Sequence, residues 1–264
     1  MTKSLLKNTF REIKNTKARF ISIMAIIALG VGFFAGIKAT VPSMYSLAES
    51  YYKEQNLMDY RLVSTVGFDE DDIKAVENTE GVSSVMPSYF CDAQITAESG
   101  GEVVRLIAVP EKYGDNAEQN SLVIKEGRMP EKPNEILVEH DSISGTRHKV
   151  GDKITFSKEA GDKDLTEQLD SFEYTVVGMV NSPLYISYQR GTTSIGNGKI
   201  SEYMYVNQES FKTERYTELY VKADFSENCS ALSDAYEDNS ESLAKTLEAT
   251  SNAQCEVFVN DVIQ

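Results

Sequence analysis

Between Phe20 and Ile37 the chain carries FISIMAIIALGVGFFAGI, eighteen consecutive residues without one charge. At about 1.5 Å per helical residue this run spans about 27 Å, close to the ~30 Å hydrocarbon core of a bilayer. A helix buried in a soluble core usually keeps a polar face, and this one has none. Lys38 can snorkel to the interface and let Ala39, Thr40 and Val41 extend the span, so a membrane helix is predicted over 20–41. A cleaved signal peptide would have an apolar region of about 7–15 residues behind a short basic stretch and ahead of a small-x-small site. Here the run is longer, nineteen residues precede it, and GIKATVPS offers no such site before Val41. The helix is therefore read as retained.

The flanks orient it. Lys3, Lys7, Arg11, Lys14, Lys17 and Arg19 precede the run against one acid, Glu12, for a net charge of 6 − 1 = +5. Beyond Lys38 lie 19 basic and 40 acidic residues, a net −21. Positive charge stays inside, so the predicted location is the cell membrane, with the amino terminus cytoplasmic and the main domain extracytoplasmic. An acidic exported domain argues against nucleic acid as a partner. In the first nineteen residues Leu5, Leu6, Phe10 and Ile13 recur at roughly helical spacing, and Lys3, Lys7, Arg11 and Lys14 share another face. That pattern predicts an amphipathic basic helix over 1–19, lying on membrane lipid with its cations against anionic headgroups. Within the span, Ala28, Gly32 and Gly36 are four apart, a spacing that lets another helix approach closely in lipid.

After the span, Met44, Leu47, Ala48, Tyr51 and Met58 keep one apolar face, predicting a helical stalk over 42–58 with Pro42 in its first turn. DYRLVSTVGF reads as a strand, and DEDDIKAVENTEG as a helix whose leading acids, Asp69 to Asp72, complement its dipole and which Gly81 ends. The stretch from Val82 to Val109 reads as two strands joined by a Ser-Gly-Gly turn. Near the end, TELYVKADF reads as a strand, the following segment as a helix with Leu232, Tyr236, Leu243 and Leu247 on one side, and CEVFVNDV as a strand again. The middle is rich in strands and Gly/Pro/Asn turns. The predicted class is α+β: one amino-terminal transmembrane helix with stalk, then an extracytoplasmic α/β split-sheet domain with an inserted β subdomain. Its parts are α/β units over 59–120 and 213–264 and a β-rich insertion over 121–212.

No catalytic constellation emerges. His140 and His148 stand eight apart with Glu139 and Asp141 nearby, without a zinc-type spacing, and are read as surface histidines. Ser142 beside His140 and Asp141 is no triad, because neighbours in sequence do not supply the geometry. Cys91, Cys229 and Cys255 are odd in number and widely spaced, which is no disulfide framework. No phosphate-binding loop occurs, and Gly196 with Gly198 reads as a turn. Neither cofactor, metal site nor enzymatic activity is expected.

Three stretches together resemble the amino-terminal part of FtsX-like permeases of ABC transporters, the MacB-type family. LKNTFREIKNTKARFISIMAIIALGVGFFAGI is similar to that family's first helix and its lead-in. EGRMPEKPNEILVEHD followed by VGDKITF is similar to the Gly-Arg-x-Pro, Asn-Glu-Ile and Gly-Asp motif of its exported core domain. YTVVGMVNSPLYIS with RGTTSIGNGKIS is similar to the version in large permeases of Gram-positive bacteria. The resemblance implies a turn at Gly127, Arg128 and Pro130 leading into a strand at Glu135 and Ile136, and a tight turn at Gly151 and Asp152. These are structural positions. It also implies a separate cytoplasmic ATPase subunit, further permease helices or a second permease copy as partners, and an unknown extracytoplasmic ligand. The later helices of such a permease do not occur in these 264 residues, so the chain is expected to be a fragment or natural truncation that does not transport alone. The competing readings are a single-pass anchored binding or sensor module and, third, an exported hydrolase.

Overall fold

The computed structural model describes residues 2–96, 101–114, 116, 118–140, 147–161, 163–185, 189–231 and 233–263, apart from the side chains of 2–6, 8, 10 and 260–263. The chain divides into two compact units, Met1–Ser50 and Tyr51–Gln264.

The first unit is helical. Helix α1 spans Thr2–Asn15 and α2 spans Lys17–Glu54. Thr16 joins them: its N–H donates to the Glu12 carbonyl and its own carbonyl accepts from Phe20 N–H, both at 3.0 Å. Lys7, Arg11 and Lys14 are exposed on α1, whereas the side chains of Lys3, Leu5, Leu6 and Phe10 lie outside the described residues. None of the residues of α2 is buried, and it is long and apolar enough to cross a membrane. Three of its hydroxyls turn inward onto the helix backbone. Ser22 donates to the Ala18 carbonyl at 2.9 Å, Thr40 to Gly36 at 2.9 Å and Ser43 to Ala39 at 2.8 Å. In hydrocarbon this back-bonding satisfies polar groups that water cannot reach. Pro42 opens no new helix and lies inside α2. Membrane helices tolerate such a proline because neighbouring groups re-satisfy the backbone it interrupts.

The second unit holds two main sheets. Strand β1 (Tyr60–Phe68) is followed by α3 (Glu70–Glu77) and β2 (Val82–Ser88). The Asp69 carboxylate caps α3 by accepting from Asp71 and Asp72 N–H, and the Asp72 carboxylate returns a bond to Asp69 N–H at 2.9 Å. The acids at this helix start are thus a reciprocal cap. The helix ends at Glu77, earlier than the glycine signal predicts, with Asn78 as its cap: the Asn78 side-chain amide donates to the Lys74 carbonyl at 2.7 Å. Gly81 instead turns the chain into β2 with φ +92°.

The stretch from Val82 holds three strands where two were expected. After β2 come β3 (Phe90–Gln94) and β4 (Val103–Ala108). The break falls at Tyr89, whose ring stacks on Phe211 and Tyr216 with centroids 5.3 and 4.9 Å away. The chain passes there from one sheet to the other. The Ser-Gly-Gly turn falls largely outside the described residues. Then follow β5 (Val123–Gly127), β6 (Glu135–Glu139), β7 (Lys153–Thr155), β8 (Glu159–Ala160), β9 (Lys163–Asp164), β10 (Glu173–Asn181), β11 (Glu202–Val206), β12 (Tyr216–Ala223) and helix α4 (Asp234–Ile263).

The predicted final strand is a correction: Cys255 to Val262 is helical, within α4. Its valines suggest a strand, but no glycine or proline breaks the chain from Asp234 to Ile263, so the helix runs on. Among the described residues the carboxy-terminal part is therefore a strand followed by a helix, without a second strand. Strand β12 inserts between β1 and β2 as the centre of a three-stranded antiparallel sheet. Helix α4 lies beside α3, and Ile73, Val76, Val85, Leu219, Val221, Leu243 and Leu247 form their shared core. Leu232 is outside the described residues. The two ends of this unit thus build one α/β layer, and the mixed sheet is inserted between them, as the split-sheet class predicts.

The inserted sheet runs β3-β4-β11-β6-β10-β5, with β7 also pairing with β10. Pairs β4/β11 and β6/β10 are parallel and the others antiparallel. Period-2 alternation sends Leu106, Ile136, Val138, Met204 and Val206 to one core and Ile107, Leu137, Tyr205 to the other. Both faces are covered, which explains why EILVE in β6 is buried at all five positions.

Candidate functional site

The two glycine motifs both anchor β10. Gly127 ends β5 with φ +78°, and the next N–H, of Arg128, donates to the Val177 carbonyl at 3.0 Å. The Arg128 guanidinium then forks onto Glu135, with bonds of 2.7 and 2.6 Å, while Glu131 N–H donates to the same carboxylate at 2.8 Å. The hydrogen bonds from Arg128 hold the Glu135 carboxyl down to about 2, against the opposing effect of burial. The loop containing Pro130 is thereby locked onto the start of β6. Gly151, with φ +98°, donates to the Val176 carbonyl at 2.8 Å, and Asp152 folds its carboxylate onto Lys149 N–H at 2.8 Å.

Gly32 and Gly36 have open space where a side chain would stand, and Ala28 is exposed. Lys17 and Arg19 are exposed at the start of α2. Among the described residues Cys91, Cys229 and Cys255 form no disulfide, and Cys91 is buried in β3. Among the described residues no group of three or more His, Cys, Asp or Glu is placed to hold a metal. Asp141 and Ser142 are outside the described residues.

The site that composition and spacing missed is a cleft of about 550 Å³ over the ends of β6 and β11. Its floor holds two buried acids on neighbouring strands, Glu139 and Glu202, each with under a tenth of its side chain exposed. The Glu139 N–H donates to Glu202 Oε1 at 3.1 Å, and Tyr203 N–H donates to Glu139 Oε1 at 2.8 Å. Arg190 grips Glu139 with Nε–Oε1, Nε–Oε2 and Nη2–Oε2 distances of 2.8, 2.9 and 2.7 Å. Its guanidinium lies 4.7 Å from the Tyr185 ring centroid, and its carbonyl accepts from the Tyr203 hydroxyl at 2.7 Å. Among the described residues Glu202 has no such cation. Its Oε2 meets no hydrogen-bond partner, and His148 Nε2 is 3.9 Å away, too far for one. His148 is correspondingly no surface histidine: it is largely covered, and burial lowers its pKa against the opposing pull of Asp152 and Glu102. Arg147, paired with Glu102, and Lys199 stand at the walls.

Burial first, and then the Glu139 charge, push the Glu202 pKa up from 4.5 to about 8. Within that window the unfolded chain has released this proton and the folded chain has kept it. The contribution of this group to stability therefore falls as pH rises from about 4.5 to 8, by up to about 1.4 kcal/mol per unit. Glu202→Gln keeps the shape and the acceptor for Glu139 N–H while removing the titration. Chemical denaturation of both proteins at pH 5, 6, 7 and 8 is expected to show a shallower decline for the variant; parallel curves would show that Glu202 ionises normally.

No protein-family model and no curated protein matches the sequence. Among solved structures, the chain is similar to the extracellular domain of YknZ, a noncanonic ABC-type transporter from Gram-positive bacteria. The identity is 14% over 72% of this chain and 87% of that one, with a TM-score of 0.37. It is also similar to the periplasmic region of MacB from Actinobacillus actinomycetemcomitans, at 13% identity over 71% of this chain and 75% of that one, with a TM-score of 0.35. Those two structures are an extracellular domain and a periplasmic region.

Proposed function

We propose that the chain is the amino-terminal part of an ABC transporter permease, in which a cytoplasmic ATPase is coupled through the membrane to the unit Tyr51–Gln264 outside it. The carrying observation is α2: an apolar helix with no buried residue, whose Gly32 and Gly36 leave open space on its surface. Such a helix needs lipid on its broad faces, and its small residues suit a second helix. The basic residues ahead of it and the acidic excess behind it favour a cytoplasmic amino terminus. The order of the Gly-Arg and Gly-Asp motifs supports the permease reading over a solitary anchor.

The test is made in native membranes. A membrane-impermeant maleimide applied to intact cells is expected to label the exposed Cys255. Gentle detergent extraction is expected to bring down a polypeptide with a phosphate-binding loop, whose ATP hydrolysis responds to this subunit. Gly32→Leu, which fills the open space, is expected to weaken that response about tenfold without changing the amount of protein in the membrane, by loss of close helix packing. An unchanged response would remove the packing role, and the absence of any ATPase would favour an anchored binding module.

A further inference from the structure

We propose that the cleft over β6 and β11 binds a monoanionic carboxylate carried by a polar molecule of peptide size, with Glu202 donating to it and Lys199 balancing its charge. The charges at the site decide the sign. Arg190 is neutralised by Glu139 and Arg147 by Glu102. Glu202 is held neutral by its burial beside Glu139, and His148 by its own. Lys199 makes no ion pair among the described residues and lines the same cleft, leaving a net charge of +1. That matches one carboxylate better than a phosphate dianion, which would draw the arginines away from acids they already hold.

The orphaned oxygen gives the second part. A neutral carboxyl has one donor and one acceptor to place. Glu202 Oε1 already accepts from Glu139 N–H, so the proton resides on Oε2, for which the described residues supply no acceptor. A buried donor left unmade is costly, and a ligand oxygen relieves that cost. In the same cleft lining, Ser201 and Asn197 carry the mixed donors and acceptors that suit amide groups behind a terminal carboxylate.

The groups facing Glu202 set its pH response. They are Glu139 from β6, Arg147 and His148 ahead of β7, Glu102 ahead of β4, Arg190 and Lys199 ahead of β11, and Tyr203 next to it. Above about pH 8 Glu202 becomes an anion, loses its donor and repels a carboxylate. Binding is therefore expected to weaken with rising pH.

The inference rests on the permease reading for where the ligand is met, but not for whether it binds. A failed titration leaves that reading intact, and a missing ATPase leaves the titration intact. The experiment is calorimetric titration of the full chain in lipid nanodiscs with acetyl-trialanine, its carboxy-terminal amide, a lysine-containing tripeptide amide and inorganic phosphate, at pH 6 and pH 9. The free carboxylate is expected to bind at pH 6, with the amide about tenfold or more weaker, and to lose affinity at pH 9. Glu202→Gln retains a donor at the same place, so its binding is expected to be nearly equal at the two pH values. Lys199→Ala, at an exposed position, is expected to weaken the carboxylate several-fold without changing thermal stability. Equal binding of amide and acid, preference for the cationic peptide or for phosphate, no binding at millimolar acid, or an unchanged pH response in Glu202→Gln would each overturn the proposal.

Discussion

Replacing Arg61 by alanine is expected to destabilise the chain by about 3–5 kcal/mol, the range for stranding a buried charge. Arg61 leaves β1 and places Nε 2.5 Å from Glu218 Oε2 in the middle of β12, where the Glu218 side chain has no exposure at all. The Tyr220 hydroxyl donates to the other oxygen of that carboxylate. Without the guanidinium, Glu218 keeps one neutral donor and no countercharge inside the sheet. Arg61 also lies 4.9 Å from the Phe90 ring centroid on β3, so the same substitution removes a contact between the two sheets. Urea denaturation of the full chain in detergent micelles, followed by far-ultraviolet circular dichroism, measures the loss. The double variant Arg61→Met with Glu218→Leu separates the causes. If stranded charge dominates, the double variant recovers most of the loss; if it is as unstable as the single one, the damage lies in packing.

Gly127→Ala is expected to cost about 3 kcal/mol or more, through strain and overpacking together. The position has φ +78°, and a Cβ there would stand 2.1 Å from the Val177 carbonyl oxygen and 2.7 Å from Gly178 Cα. Both obstacles are backbone in β10, the strand that pairs with β5, β6 and β7, so neither can move without spoiling three ladders. Gly151→Ala is the control. It shares a positive φ of +98° but has nothing within 4 Å of the added carbon, so only the conformational cost remains, about 1–2 kcal/mol. Equal losses for the two variants, measured by the same denaturation, would show that the close approach to β10 contributes nothing.

These two glycines illustrate what was legible in the chain. The family resemblance implies a turn at Gly127, Arg128 and Pro130 before EILVE, and Gly127 there ends β5 with φ +78°. That both turns hang on β10 was not legible, because β10 lies more than twenty residues further along and its pairing is a matter of sheet order. The Glu139–Glu202 cleft was hidden for a similar reason. Glu139 closes one strand of mainly apolar residues and Glu202 opens another, more than sixty residues further along. Only the antiparallel alignment of β6 with β11 puts them side by side, where burial changes the chemistry of one of them. The signal that could have raised suspicion was the pair of cations, Arg190 and Lys199, in a Gly/Thr/Ser loop ahead of a strand that begins with an acid.

Local pattern also misled. The valines near Cys255 suggest a strand, yet the uninterrupted helix continues through them. Tyr89 looks like one more residue of an extended run, yet it is the joint between two sheets.

By itself the sequence determined the membrane helix, its charge asymmetry, the capped helix at Asp69 and the turn glycines. Each is set by residues within a few positions of one another, through hydropathy, dipole complement or permitted φ. Tertiary structure alone decided that β12 sits between β1 and β2, that the mixed sheet is buried on both faces, and that two distant acids share one cleft. Those features depend on which strands meet, and the free energy that selects the pairing comes from burying whole sheet faces at once.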